Sequence, residues 1–424
     1  GLAGLSAAWH LQRRGIEPLV FEKEFEPGGL CRSKKIGGFT FDYDAHLLHF
    51  RSRYSFDLVK KILGENLSMH KRDAWVYSQG RYIPYPFQAN LFGLPRLVIK
   101  ECVSGFIHAQ NNGKATSKDN QNFLRWIYTT FGRGIARHFM IPYNRKFWSV
   151  HPSELTCEWL DGFIPVPTIR QLIEGALREN RWQFGYNTKF WYPKKGGIHT
   201  LALGLAQKLK HIHTACPIQT VDFKKRICFT PWGERQRYHY LIATIPLPEL
   251  PCIIRGLPAR LKPYFQRLRW NSIFNLNLGV ARKKISQRHW IYFPDKEFVF
   301  FRAGYCSNFS SSLVPGDSSS LYAEVSYSKD KHLDTQDIVR RIKADLVKAG
   351  ILDSKDRICV EDTNSIKYAY PIYDRYHRRA TAEIAKFLRA HGIIVCGRFG
   401  SWRYLSMEGA LLNGKEVAEE VLRR

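Results

Sequence analysis

The chain opens on an apolar stripe. Leu2, Leu5, Ala8, Trp9 and Leu11 recur at helical spacing, and Gly15 supplies a stop. Leu19-Val20-Phe21 then reads as a short buried strand closed by Glu22. A similar alternation returns later: a helix over Ile198 to Leu209, strands around Ile218–Phe223 and Ile227–Phe229, and a buried strand over Tyr240–Ile245. Towards the end the pattern predicts a helix over 379–390, a strand Ile393–Cys396 and a last helix from Met407. Leu411, Leu412, Val417 and Val421 give that helix one apolar face.

The intervening stretches differ in kind. Residues 51–197 are aromatic-rich and predict a mostly helical region. Strand-like alternation marks Phe274–Gly279, Trp290–Phe293 and Leu321–Ser326. Thr335 is expected to cap a helix from Ile338 to Ala349, stopped by Gly350. The polar stretches Asn111–Asn120 and Ser310–Ser320 are expected loops, and no internal repeat is visible.

Composition narrows the class. A chain of 424 residues with 44% hydrophobic content makes two or three cores, which excludes global disorder. Lysine and arginine number 65 against 37 acidic residues, and the net +28 predicts polyanionic company: a nucleotide, a diphosphate, nucleic acid or an acidic membrane face. No nucleic-acid motif accompanies the charge, so nucleic acid is not an expected partner. No apolar run reaches the roughly 18 residues of a membrane span. The nine cysteines are scattered without a C-x-x-C pair, so no metal site and no disulfide framework is signalled, and a cytoplasmic location is expected.

The chemistry begins at the first residues. Gly1 and Gly4 are spaced like the second and third glycines of G-x-G-x-x-G, and Glu22 follows about 20 positions on. In a dinucleotide-binding unit Gly1 admits backbone close to a pyrophosphate, Gly4 lets helix pack on sheet, and Glu22 accepts from ribose hydroxyls. An ordinary helix with two glycines would account for the pair alone; the acidic residue at that distance favours the cofactor reading. The strand that should precede Gly1 is missing, so the expectation is a fragment or a late start. A second cluster follows, Pro27-Gly28-Gly29-Leu30-Cys31-Arg32-Ser33, and then Asp42-x-Asp44-Ala45-His46. It resembles the GG motif of FAD-dependent oxidoreductases of the amine oxidase and protoporphyrinogen oxidase superfamily.

Four further strings sharpen the resemblance: Tyr82–Gln88, Pro142–Trp148, Trp290–Pro294 with Arg302, and Gly397–Tyr404. Together they look like the UDP-galactopyranose mutase family, particularly its eukaryotic branch. The resemblance implies an α/β fold whose Rossmann-like FAD domain, first strand missing, is assembled from residues 1–50, 198–250 and 368–424. That domain is interleaved with a helical region over 51–197 and an antiparallel-sheet region over 251–367. It implies FAD contacts from Gly1, Gly4, Glu22, Gly28, Gly29, Arg32, Ser33, Ile218, Gly397, Arg398 and Met407. Tyr85 and Gln88 would face the uridine end of a nucleotide-sugar site, Asn144 and Trp148 would line the same cleft, and Tyr292, Arg302, Tyr370 and Tyr404 would hold the diphosphate. His46 would stand beside the flavin ring and, with Arg302 and Arg398, serve catalysis. The cofactor would be reduced FAD, with NAD(P)H a candidate reductant; oligomeric state stays open.

The strings also depart from that family. A second phosphate-gripping arginine is expected after the Asn/Trp segment, but Phe163 stands there, with Arg170 nearby. Ser406 replaces an acidic residue. These departures keep two alternatives in play: an FAD-dependent oxidase of amines or porphyrinogens, and a non-catalytic flavin-fold protein.

Overall fold

The structure, a computed structural model, describes residues 1–111, 122–160, 162–180, 182, 184–185, 187–331 and 333–424. The first helix (Leu2–Gln12) is buried on nearly every side. Its small residues let the last helix (Met407–Leu422) come close: a Cβ on Gly414 would lie 2.4 Å from the Ala3 carbonyl oxygen. Ser6 Oγ donates to the Leu411 carbonyl at 2.6 Å across this contact. Beside the helices run two parallel strand pairs, Val20–Phe21 with Ile212–His213 and Leu241–Ala243 with Ile393–Val395. The result is the expected mixed α/β architecture.

A small sheet orders Arg235–Arg237, Ile227–Phe229, Thr220–Asp222 and Ile254–Arg255. The largest sheet has seven strands, in the order Ile358–Pro371, Trp270–Val280, Ser319–Ser328, Arg302–Tyr305, Trp290–Tyr292, Ala74–Ser78 and Arg81–Pro84. Its pairs are antiparallel except Trp290–Tyr292 with Ala74–Ser78. Helices Arg96–Asn111, Phe123–Ile135 and Ile141–Trp148 pack around a core that includes Phe106, Phe123, Phe131 and Trp148. A π-helical turn over Ala136–Met140 joins the last two, a geometry that re-aims side chains at functional sites.

Several expectations need correction. The described part of 51–197 is mostly helical, but it also holds strands Leu67–Lys71, Ala74–Ser78, Arg81–Pro84 and Lys189–Pro193, which were not expected. Each is short, and Leu67–Lys71, Ala74–Ser78 and Lys189–Pro193 have partners distant in sequence, which local propensity cannot report. The helix expected from Ile198 runs His199–Ala206. Asp334, not Thr335, is the N-cap, accepting from the Gln336 and Asp337 N–H groups, and the helix runs Thr335–Lys348. The loop expected over Asn111–Asn120 lies outside the described residues except Asn111, which ends a helix. Within Ser310–Ser320, Ser311–Leu313 forms a 3-10 turn and Ser319 begins a strand. Among the described residues no helix is long and apolar enough to cross a membrane.

Candidate functional site

The turn after the Val20–Phe21 strand is shaped by glycine. Gly28 and Gly29 have φ of +139° and +60°, backbone that other residues adopt only with strain. A Cβ on Gly29 would lie 3.2 Å from Gly1 Cα, and one on Gly28 2.9 Å from the Cys31 carbonyl oxygen. The start of the first helix and this turn therefore face each other without intervening side chains. Glu22 closes the group, its carboxylate 3.7 Å from the Gly1 nitrogen. Arg32 Nε donates to the Gly29 carbonyl at 2.9 Å, and its guanidinium lies 4.6 Å from the Tyr43 ring. Gly397 comes against the same helix, where a Cβ would stand 2.6 Å from that of Ala3.

From this cradle a cavity of about 1190 Å³ extends into an aromatic half, larger than a single small ligand needs. Gly1, Gly4, Glu22, Gly28, Gly29, Arg32, Ile218, Gly397 and Met407 line it at one end. His46, Tyr85, Gln88, Asn144, Tyr292, Arg302, Tyr370, Arg398 and Tyr404 line the remainder. Two expected residues stand behind the wall. Ser33 is not among the lining residues; its hydroxyl donates to Asp42 at 2.7 Å. Trp148 is fully buried in the helical core because its ring packs on Phe147 and Trp159. Arg170 sits on an exposed helix surface paired with Glu174, away from the cavity lining.

In the aromatic half, Tyr85 and Tyr143 flank Tyr292 at centroid distances of 5.0 and 5.4 Å. Tyr370 and Tyr404 lie 5.4 Å apart, and the Arg398 guanidinium is 5.1 and 5.3 Å from their rings. Burial pushes the Tyr85, Tyr370 and Tyr404 phenols up, so they stay protonated donors at neutral pH. Arg398 Nε donates to the Leu405 carbonyl at 2.7 Å, which fixes its head. Arg302 is committed to Glu324 on the neighbouring strand: Nη2 donates to Oε1 at 2.6 Å, and Nε donates to the other oxygen. Burial raises the Glu324 carboxyl, the Arg302 guanidinium opposes this, and Asp44 adds to the rise.

His46 Nδ1 lies 2.9 Å from the Asp44 carbonyl, which requires Nδ1 to carry the hydrogen and leaves Nε2 an acceptor. Burial lowers its pKa, so the ring is neutral. Gln88 is buried; Nε2 donates to the Pro165 carbonyl at 2.5 Å while Oε1 has no partner. Asn144 Nδ2 donates to the Met140 carbonyl at 2.8 Å. Phe163 lines the cavity with its ring 5.1 Å from Tyr404. Ser406 caps the last helix by accepting from the Gly409 N–H at 3.1 Å. Glu408 in its first turn accepts from the Arg51 and Ser52 N–H groups and from Ser55, tying this helix to the segment after His46.

Sequence reasoning passed over Phe139, Tyr143, Phe147, Trp159, Asp44 and Glu324. The i, i+4, i+8 spacing of Phe139, Tyr143 and Phe147 was a readable signal, and all three rings line the cavity. Asp44 stood inside the Asp42–His46 string without being given a role, and Glu324 carried no signal because it alternates within a strand.

Comparison with known proteins decides the family. Residues 2–422 match the model of the flavin containing amine oxidoreductases. The chain belongs to that family. As a flavin-containing amine oxidoreductase relative it resembles the crystal structure of a reduced UDP-galactopyranose mutase, with a TM-score of 0.94, 26% identity and coverage of 100% of this chain and 92% of the other. A putrescine oxidase bound to putrescine shares the fold alone, at TM-score 0.70 and 15% identity over 100% of this chain and 97% of that one. Among curated proteins a probable flavin-containing monoamine oxidase A of Dictyostelium discoideum is 22% identical over 64% of this chain and 62% of its own length. An uncharacterized protein from the nifH2 3' region of Methanothermococcus thermolithotrophicus is 44% identical over 48 residues, 11% of this chain and 46% of its own. Both matches therefore span less than two thirds of the curated relative.

Proposed function

We propose that this flavin-family protein binds a nucleoside diphosphate sugar and rearranges its ring, interconverting UDP-galactopyranose and UDP-galactofuranose or a related pair. The observation that carries the reading is the placement of Arg398. Its guanidinium stands beside the rings of both Tyr370 and Tyr404, where an amine substrate would otherwise gain cation–π attraction. A protonated amine brought there meets like charge, whereas a diphosphate meets a guanidinium and two phenolic donors. Gln88 supports the same ligand, because its buried Oε1 lacks a donor and an imide N–H such as that of uracil would satisfy it. The likeness to a reduced mutase agrees.

The cradle fits a flavin dinucleotide, since Gly1, Gly28 and Gly29 bring bare backbone together on the cavity lining, where a Cβ would force the segments apart. Gly1, Gly4, Glu22, Gly28, Gly29, Arg32, Ile218, Gly397, Arg398 and Met407 would hold it. Bound in its reduced form, a flavin would supply a nucleophile for the sugar's anomeric carbon. The chain itself would supply the remaining requirements. Tyr370, Tyr404 and Arg398 hold the diphosphate and stabilise the charge it gains on departure. The N-terminus of the last helix, with Met407 on the cavity, favours nearby negative charge by about 1 kcal/mol. Neutral His46 offers an acceptor without adding charge.

An anaerobic assay with UDP-galactofuranose tests this. The dithionite-reduced holoprotein is expected to form UDP-galactopyranose without consuming oxygen, and equal turnover by the oxidised form refutes the proposal. The second reading, oxidation of an amine or porphyrinogen, is favoured by Phe163 in place of a guanidinium. It predicts substrate-dependent bleaching of the flavin with no added reductant.

A further inference from the structure

We infer that Trp159 is a further ligand-binding residue of this cavity, its indole N–H donating to a phosphoryl oxygen of the diphosphate. The inference rests on the nucleotide-sugar reading above. Trp159 lines the cavity at 6% exposure, and its Nε1 has no hydrogen-bond partner. A buried N–H without an acceptor costs on the order of 1–3 kcal/mol, a cost that a ligand oxygen removes. The ring is held by Phe123 and Trp148, each at 4.9 Å, so the donor is fixed before a ligand arrives. Of the other buried indoles without partners, Trp148 and Trp402 do not line the cavity, while Trp270 and Trp290 line it but pack on Tyr368 and on Phe190 rather than beside Tyr404. Trp159 also lies 6.1 Å from the Tyr404 ring, on which Arg398 sits.

The surrounding wall makes the assignment specific. In the stretch from Trp159 to Pro165, the Phe163 N–H donates to the Leu160 carbonyl at 2.6 Å and the Pro165 carbonyl accepts from Gln88. Its described side chains on the cavity are Trp159, Phe163 and Ile164. Of these only Trp159 carries a polar hydrogen. Across the cavity Arg302 has spent two donors on Glu324. A diphosphate would thus be gripped on this side by a neutral donor, with Arg398 supplying the positive charge.

Binding of UDP and of uridine to the FAD-loaded protein, measured by calorimetry, tests the assignment with the W159F variant. The variant keeps the aromatic packing and removes the N–H. Its UDP affinity is expected to fall about tenfold or more, the usual size for a hydrogen bond to a charged acceptor, while uridine affinity and the bound flavin spectrum stay unchanged. Equal UDP affinity in the two proteins overturns the assignment. So does a parallel loss for uridine, which would mean altered packing. If the unsubstituted protein binds neither probe, the nucleotide reading fails and takes the Trp159 assignment with it.

Discussion

Arg302 and Glu324 show how a motif residue acquires its real surroundings only in three dimensions. The arginine was legible, because it follows the Trp290–Pro294 string at a recognisable distance. Glu324 was not, since an acid alternating within Leu321–Ser326 reads as a solvent-facing position. The register of adjacent strands sets Glu324, buried behind the wall, opposite Arg302, which lines the cavity. The E324Q variant is expected to lose roughly 3–5 kcal/mol of stability in urea denaturation, because a buried guanidinium is left without its counter-charge. The same change should strengthen UDP binding, since Arg302 then has charge to offer an anion. Ser33 and Trp148 are the reverse case: both sit inside matching strings, yet hydrogen bonding to Asp42 and packing on Trp159 turn them away from the lining.

At the scale of elements, long periodic helices and the 270–280 and 319–328 strands could be read from spacing, whereas Ala74–Ser78 and Arg81–Pro84 could not. They are short and carry Trp75, Tyr77 and Tyr82, and beyond their own hairpin the neighbour of Ala74–Ser78 is a strand more than two hundred positions later. His289 fastens that junction: its N–H donates to the Asp73 carbonyl at 2.8 Å, and its Nδ1 accepts from the Asp73 N–H at 2.9 Å. Burial, helped by nearby His70, lowers its pKa to about 4. The unfolded chain, with an ordinary imidazole near 6.5, therefore takes up the proton first as pH falls. Stability from this group is complete above about pH 6.5 and is lost progressively down to about pH 4, by roughly 3 kcal/mol. Melting temperatures near pH 7 and near pH 5 should diverge in the parent. The gap should narrow in an H289N variant, whose amide oxygen can still accept from Asp73, while His49, also held near 4 by burial, keeps part of it.

For the whole molecule the net charge of +28 is a source of self-repulsion that salt screens. The melting temperature should rise by a few degrees from low to moderate sodium chloride, measured by scanning calorimetry, and a flat response would show that acids and bases are evenly interspersed. Fold class and family were readable from glycine spacing and short strings because phosphate-binding backbone demands glycine locally. The seven-stranded sheet was not, because its order depends on pairings between remote segments. That order has a consequence for synthesis. The Ala74–Ser78 hairpin leaves the ribosome roughly 210 residues before Trp290–Tyr292, the strand that covers its open edge. At about 5–20 residues per second that is a wait of some 10–40 s, long enough for a nascent chain to need shielding by a chaperone.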